Sequence, residues 1–196
     1  MSKNADRMNA VRLVLLMVAV MWGLEILDVL TGHALDQLGI VPRQLYGLLG
    51  VVIAPFLHFG FAHLASNTIP FAVLGLIIAV GGTLRVLTVI VITALVSGLG
   101  VWLFSPALSV TTGASGLVFG FAAYVIARGI VERSLVYIAV GLLVLPVWGV
   151  GLLMGLLPQA GISWQGHLFG AVGGVLAARL LHARGRDTTI ATPGLQ

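Results

Sequence analysis

The sequence predicts an all-α membrane protein, a single bundle of six transmembrane helices. Three observations carry that reading. Only 8% of the 196 residues are charged, ten Lys+Arg against six Asp+Glu, where a soluble domain carries roughly 25%. The apolar fraction is 59% and the mean hydropathy is +1.12, so a water-soluble fold of this size would expose much apolar surface. At about 20 residues per membrane helix, six spans use about 120 residues, leaving short loops and no room for a sizeable soluble domain. An ordinary globular protein, a disordered chain and a coiled coil are excluded. The absence of cysteine excludes disulfides, thiolate metal sites and cysteine nucleophiles. The net charge of +4 points to no nucleic acid, because basic residues in a membrane protein mainly report topology.

Glycine, proline and charge divide the apolar runs into spans near Val11–Leu30, Phe61–Val80, Leu84–Phe104, Ala114–Val131, Leu135–Leu157 and Gln165–His182. The first run has no small-x-small cleavage site before Glu25 and Asp28, so it reads as an anchor rather than a signal peptide. The segment Thr31–Gly60 is too long for a turn and too apolar to be fully solvated. It is expected at the outer interface, partly inside protein. Residues 1–182 thus form one six-span membrane domain, and 183–196 a polar, disordered cytoplasmic tail. With the N-terminus inside, Lys3, Arg7, Arg12, Arg85, Arg128, Arg133, Arg179, Arg184 and Arg186 all lie at inner ends, and Arg43 alone lies outside. That asymmetry places both termini in the cytoplasm of a cell whose plasma (inner) membrane holds the chain as a multi-pass protein.

Polar side chains in hydrocarbon are costly and each needs a reason. The second span opens with His58, His63, Ser66 and Asn67, the fourth with Thr111, Thr112 and Ser115, and the sixth with Gln165 and His167. All three are outer helix ends, so the groups are expected at one depth, in a polar site open to water. His63 and Asn67 are four apart and share a helix face. Gly116 and Gly120 flank the serine's helix face, and Gly166, Gly170 and Gly174 run beside His167. Such faces let backbones approach closely in lipid, which would bring Ser115 and His167 within hydrogen-bond reach. Each piece also has a plainer reading. A glycine face is more often packing, His167 alone suits a buried histidine bonded to a backbone carbonyl, and His63 and Asn67 suit interhelical hydrogen bonding. The joint occurrence on three spans at one depth favours a site.

Hydrolysis within a membrane needs a nucleophile, a base, an oxyanion stabiliser and water. Serine is a weak nucleophile until a base takes its proton. Ser115 lies in the first turn of its helix, where N–H groups lack intrahelical partners; with Asn67 and a His63 ring N–H they form a candidate oxyanion site. Glu25, Asp28 and Asp36 are remote in sequence, which favours a Ser–His dyad over a triad. No His-Glu-x-x-His string, paired late-span aspartates or Gly-rich phosphate loop occurs, and neither a metal nor an organic cofactor is expected.

Three strings then carry a resemblance. His58-Phe-Gly-Phe-Ala-His63-Leu-Ala-Ser-Asn67, Gly113-Ala-Ser115-Gly-Leu-Val-Phe-Gly120 and Gly166-His167-Leu-Phe-Gly170-Ala-Val-Gly-Gly174 resemble, in order and spacing, the motifs of the bacterial-type rhomboid intramembrane serine proteases. The resemblance implies a six-helix rhomboid fold, Ser115 as nucleophile, His167 as base, and His63, Asn67 and the Ser115 N–H as oxyanion donors. It implies single-span membrane proteins as substrates, cleaved near the outer face, with the lipid bilayer as the other partner and no nucleic acid; it leaves the oligomeric state open. The alternative in another class is a rhomboid-like pseudoprotease that binds membrane proteins as a scaffold. Two departures stand out. Tyr46-Gly47 occupies the region of the family's first-loop Trp-Arg pair, and Phe119 replaces the tyrosine one turn after the serine, keeping a ring for the imidazole and losing a hydroxyl.

Overall fold

The computed structural model describes residues 2–190. Helix α1, Lys3–Leu30, starts earlier than the apolar run because the Ser2 hydroxyl caps it, accepting the Ala5 N–H at 3.2 Å. Its first turns are tied to the junction ahead of α4, Thr83–Phe104: the Thr83 N–H donates to Asp6 Oδ1 (3.2 Å), the Thr83 hydroxyl to the Asp6 carbonyl (3.0 Å), and Arg7 Nε to the Val80 carbonyl (3.0 Å).

The segment between α1 and α3, Phe61–Ala79, is neither a loop in solvent nor a span. It folds as 3₁₀ turns at Leu35–Leu38, Leu45–Leu48 and Ala54–Phe56 around the short helix α2, Gly50–Ile53. It is held to the molecule by backbone and capping bonds. Ile40 and Thr111 exchange both backbone hydrogen bonds as an isolated bridge (2.9 and 3.0 Å). Arg43 Nη1 donates to the Leu103 and Ser105 carbonyls at 3.0 and 2.8 Å, which satisfies acceptors left open at the end of α4. The Trp102 indole N–H donates to the Gln44 carbonyl at 2.9 Å.

The long helices follow: α3 Phe61–Ala79, α4 Thr83–Phe104, α5 Ser115–Val131, α6 Leu135–Gly155 and α7 Trp164–Ile190. Among the described residues there is no strand, so the fold is all-α as expected. Helix α5 is the centre: it touches α3, α4, α6 and α7, and its packing on α7 is the most extensive in the molecule. Leu117, Phe121, Tyr124 and Val125 are buried on it, with Phe71 of α3 and Ala177 of α7 in the same core. Large apolar residues left exposed, such as Leu16, Ile26, Ile69, Leu84, Leu143 and Leu153, lie on the outward faces of the surrounding helices.

By length and composition α1, α3 and α4 are each able to cross a membrane. A fourth is added if the halves of α6, bent by 64° between Leu135–Val144 and Pro146–Gly155, count as one span. The bend falls at Pro146, which has no N–H for the helix ladder. Helix α5 has only 17 residues, and α7 opens on Trp164, Gln165, Gly166 and His167, so those two expected spans do not meet the same measure. Helix α7 also runs on to Ile190, where a disordered tail was expected from 183. Residues 191–196 of that tail lie outside the described residues.

Candidate active site

The elements bring Ser115 and His167 together. Ser115 is the first residue of α5, and His167 stands in the first turn of α7. The Ser115 Oγ lies 2.8 Å from His167 Nε2, and His167 Nδ1 lies 2.7 Å from the Gly155 carbonyl. The carbonyl can only accept, so Nδ1 carries the ring proton and Nε2 presents a lone pair to the serine hydroxyl. This is the tautomer that a proton acceptor for the serine needs. The plainer reading of His167, a buried histidine bonded to a carbonyl, holds at the same time, and the carbonyl occupies the place of a triad carboxylate.

The approach of that carbonyl depends on a residue with no side chain. A Cβ on Gly155 would stand 2.9 Å from His167 Nδ1 and 2.6 Å from Phe119 Cζ. The Phe119 ring stacks on the imidazole at 4.0 Å between centroids and 5° between planes, so the ring substitution on α5 keeps the stacking partner. Gly155 was not recognised from the sequence. Twelve residues and a turn separate it from His167, and nothing in an apolar helix end marks one glycine among several.

The close approach of α5 and α7 has the cause the glycine spacing implied. A Cβ on Gly170 would collide with the Gly116 carbonyl, and one on Gly174 with the Gly120 carbonyl. Helix α4 is fastened to the same junction: the Ser97 hydroxyl donates to the Gly166 carbonyl at 2.8 Å, and a Cβ on Gly116 would collide with Ser97 Oγ.

The histidines of the second motif divide their roles. His58 is buried, and its Nε2 accepts the Ala114 N–H at 3.3 Å. A ring nitrogen that accepts carries no proton, so the imidazole is neutral. It therefore holds the turn that leads into Ser115. His63 stands edge-on to it, 5.2 Å between ring centroids, and faces Gly113, whose φ of 115° and whose missing Cβ, 2.7 Å from the His63 ring, both require glycine. Asn67 is buried and donates Nδ2 to the His63 carbonyl at 3.0 Å within its own helix. One amide hydrogen is thereby used, and the second is what it has to offer the cleft. The Ser115, Gly116 and Leu117 N–H groups have no intrahelical acceptor, the first α5 bond being that of Val118 to Ala114.

His63, Asn67, Ser115 and His167 line one cleft of about 740 Å³, bordered by the 105–114 segment and by Gln159, Ser163 and Gln165 ahead of and within α7. A serine hydroxyl paired with an oriented imidazole, N–H groups without intrahelical acceptors at a helix start and an open polar cleft are groups that acyl-transfer chemistry can use.

Residues 42–184 match the Rhomboid domain family, a stretch that holds all three motifs and the cleft. The chain belongs to the rhomboid family. It is similar to uncharacterised proteins of Mycobacterium tuberculosis and Mycobacterium bovis, each 42% identical over 179 residues, 87% of this chain and 74% of the relative. An uncharacterised protein of Mycobacterium leprae is 38% identical over 186 residues, 89% of this chain and 72% of its own. As a rhomboid with several long apolar helices, the chain is a multi-pass membrane protein with a lipid bilayer around it.

Proposed function

We propose that this rhomboid is an intramembrane serine endopeptidase that cleaves single-span membrane proteins near the outer face of the plasma membrane. The observation that carries the reading is the 2.8 Å pair of Ser115 Oγ and His167 Nε2, with the imidazole held by the Gly155 carbonyl. In the proposed reaction His167 takes the Ser115 proton as Oγ attacks the scissile carbonyl carbon. The tetrahedral oxyanion is held by the Ser115 N–H, His63 and the free Asn67 N–H. His167 then returns the proton to the leaving amine, and water, activated by the same base, hydrolyses the acyl-serine.

Residues 1–182 act in this reading as one six-span domain with both termini cytoplasmic. Helix α5 is short in this arrangement because the 105–114 segment and the cleft lie above its first residue, so it begins below the outer surface. The supporting observation is that the starts of α3, α5 and α7 gather at one end of the bundle, while Arg85, Arg128 and Glu132 pair at the other (2.9 and 3.2 Å).

The test is a serine-directed fluorophosphonate probe on the purified full chain in detergent. Label on Ser115, lost after heat denaturation and absent in His167→Ala, is the expected result. A native, folded protein that takes no label would shift the reading to a rhomboid-like pseudoprotease that binds membrane proteins as a scaffold.

A further inference from the structure

A second cluster of ionisable groups sits at the far end of α1, outside the cleft. Asp28 Oδ2 lies 3.0 Å from His33 Nδ1, and Asp36 Oδ2 lies 3.7 Å from the same nitrogen. One ligand-type atom from each of the three falls within 4.8 Å of the others. The chain makes this corner in a short space: Gly32 and His33 both adopt left-handed φ, 70° and 64°, which turns the imidazole back onto the last turn of α1. The Leu35 N–H donates to Asp28 Oδ1 at 2.6 Å, so one carboxylate oxygen orients the corner and the other faces His33.

The acidic groups are not a solvated patch. Asp28 is 2% exposed and Asp36 is 7% exposed. Glu25, one turn before Asp28 on the same face, is 2% exposed, with the Gly60 backbone as its polar neighbour; Asp36 Oδ1 is buried without a hydrogen-bond partner. Asp28, Asp36 and His33 are the charged groups that act on Glu25, with no lysine or arginine among them. Buried carboxylates without a counter-charge are costly, and here three meet a single histidine.

We propose that Asp28, His33 and Asp36 bind one divalent transition cation, of the zinc class, with Glu25 as an adjoining carboxylate. One imidazole with carboxylate oxygens suits zinc better than calcium or magnesium, which take oxygen alone. Ligand atoms around a tetrahedral zinc are about 3.3 Å apart, given bonds of about 2.0–2.1 Å; the two spacings from His33 Nδ1, 3.0 and 3.7 Å, straddle that value, and the two carboxylate oxygens lie within 4.8 Å of each other. The cation would tie α1 to the turn at Leu35–Leu38 and, through the Ile40–Thr111 bridge, to the 105–114 segment that borders the cleft. Its binding does not depend on the chain being a protease.

The test uses the purified full chain, carried on a tag free of histidine and stripped with chelator, then titrated with zinc chloride in a calorimeter. One zinc per chain is expected. Saturation should raise the melting temperature by about 5–10 °C at a hundredfold excess over Kd. His33→Ala and Asp36→Asn should each weaken binding by at least about 100-fold, while melting cooperatively without metal. His182→Ala should bind as the parent does. No zinc binding, zinc binding that survives both variants, or a preference for calcium or magnesium over zinc would each overturn the proposal.

Discussion

Ser115 and His167 sit in strings specific enough to be singled out before any fold was in view, and the fold puts their atoms 2.8 Å apart. The residue that orients the pair is different in kind. Gly155 contributes a carbonyl and an absence, and neither has a pattern along the chain. Gly155→Ala puts a methyl 2.9 Å from His167 Nδ1 and 2.6 Å from the Phe119 ring, both parts of one stack with little room to give. Displacement of reacting groups by about 1 Å costs on the order of 10²-fold in rate. A drop in kcat of that order is expected for Gly155→Ala, with KM for a model membrane substrate little changed. Asn67 bonds within α3 rather than across helices, which weakens the view of it as interhelical glue. Asn67→Ala is expected to lower kcat by roughly 10²–10³, the effect of one lost oxyanion donor. Its melting temperature should stay close to that of the parent. Normal turnover with a lowered melting point would instead make Asn67 structural.

At the level of elements, the glycines of α5, α6 and α7 are not equivalent. Gly170 and Gly174 each meet a backbone carbonyl of α5, which cannot swing aside as a side chain can, whereas nothing lies within 4 Å of a Cβ on Gly151 of α6. Gly170→Val is therefore expected to force α5 and α7 apart and remove measurable turnover, with activity falling further than thermal stability. Gly151→Ala should keep full activity and leave melting unchanged or raised, since alanine is the better helix former by up to about 1 kcal/mol. Equal effects from the two substitutions would show that the spacing alone, and not the facing carbonyl, sets the constraint. The small-xxx-small rhythm was visible in the sequence and pointed to close packing of α5 on α7, but the facing atoms, the Gly116 and Gly120 carbonyls, were not. The period says how residues repeat around one helix, and only docking decides which atoms meet.

The whole molecule has two unlike ends. One carries the cleft and the zinc-class cluster. The other carries the Arg85–Glu132–Arg128 pairing, with the Arg128 guanidinium 3.7 Å over the Tyr137 ring, and the contact of the α1 start with the turn before α4. A reporter inserted near Ser105 is expected to be reached from outside the cell and one fused behind the last residue from the cytoplasm, measured by accessibility in intact cells. The reverse pattern would put the cleft on the cytoplasmic side and remove the outer-face reading of substrate cleavage.

Composition and the spacing of polar residues were enough for an all-helical membrane protein and for a serine, a histidine pair and an asparagine at related helix ends. These properties follow from the solvent: hydrocarbon demands long apolar helices and makes every buried polar group conspicuous. What waited for the tertiary structure were contacts with no period and no motif. The Gly155 carbonyl on His167, the Arg43 cap on α4 and the meeting of Asp28, His33 and Asp36 arise where a turn brings separate stretches of chain together. Three expected elements also changed in outline. Helix α1 is lengthened by the Ser2 cap, α6 bends at Pro146, and α7 continues to Ile190. Local hydropathy marks where a chain prefers hydrocarbon, whereas caps, missing donors and neighbouring backbones decide where a helix starts, turns and stops.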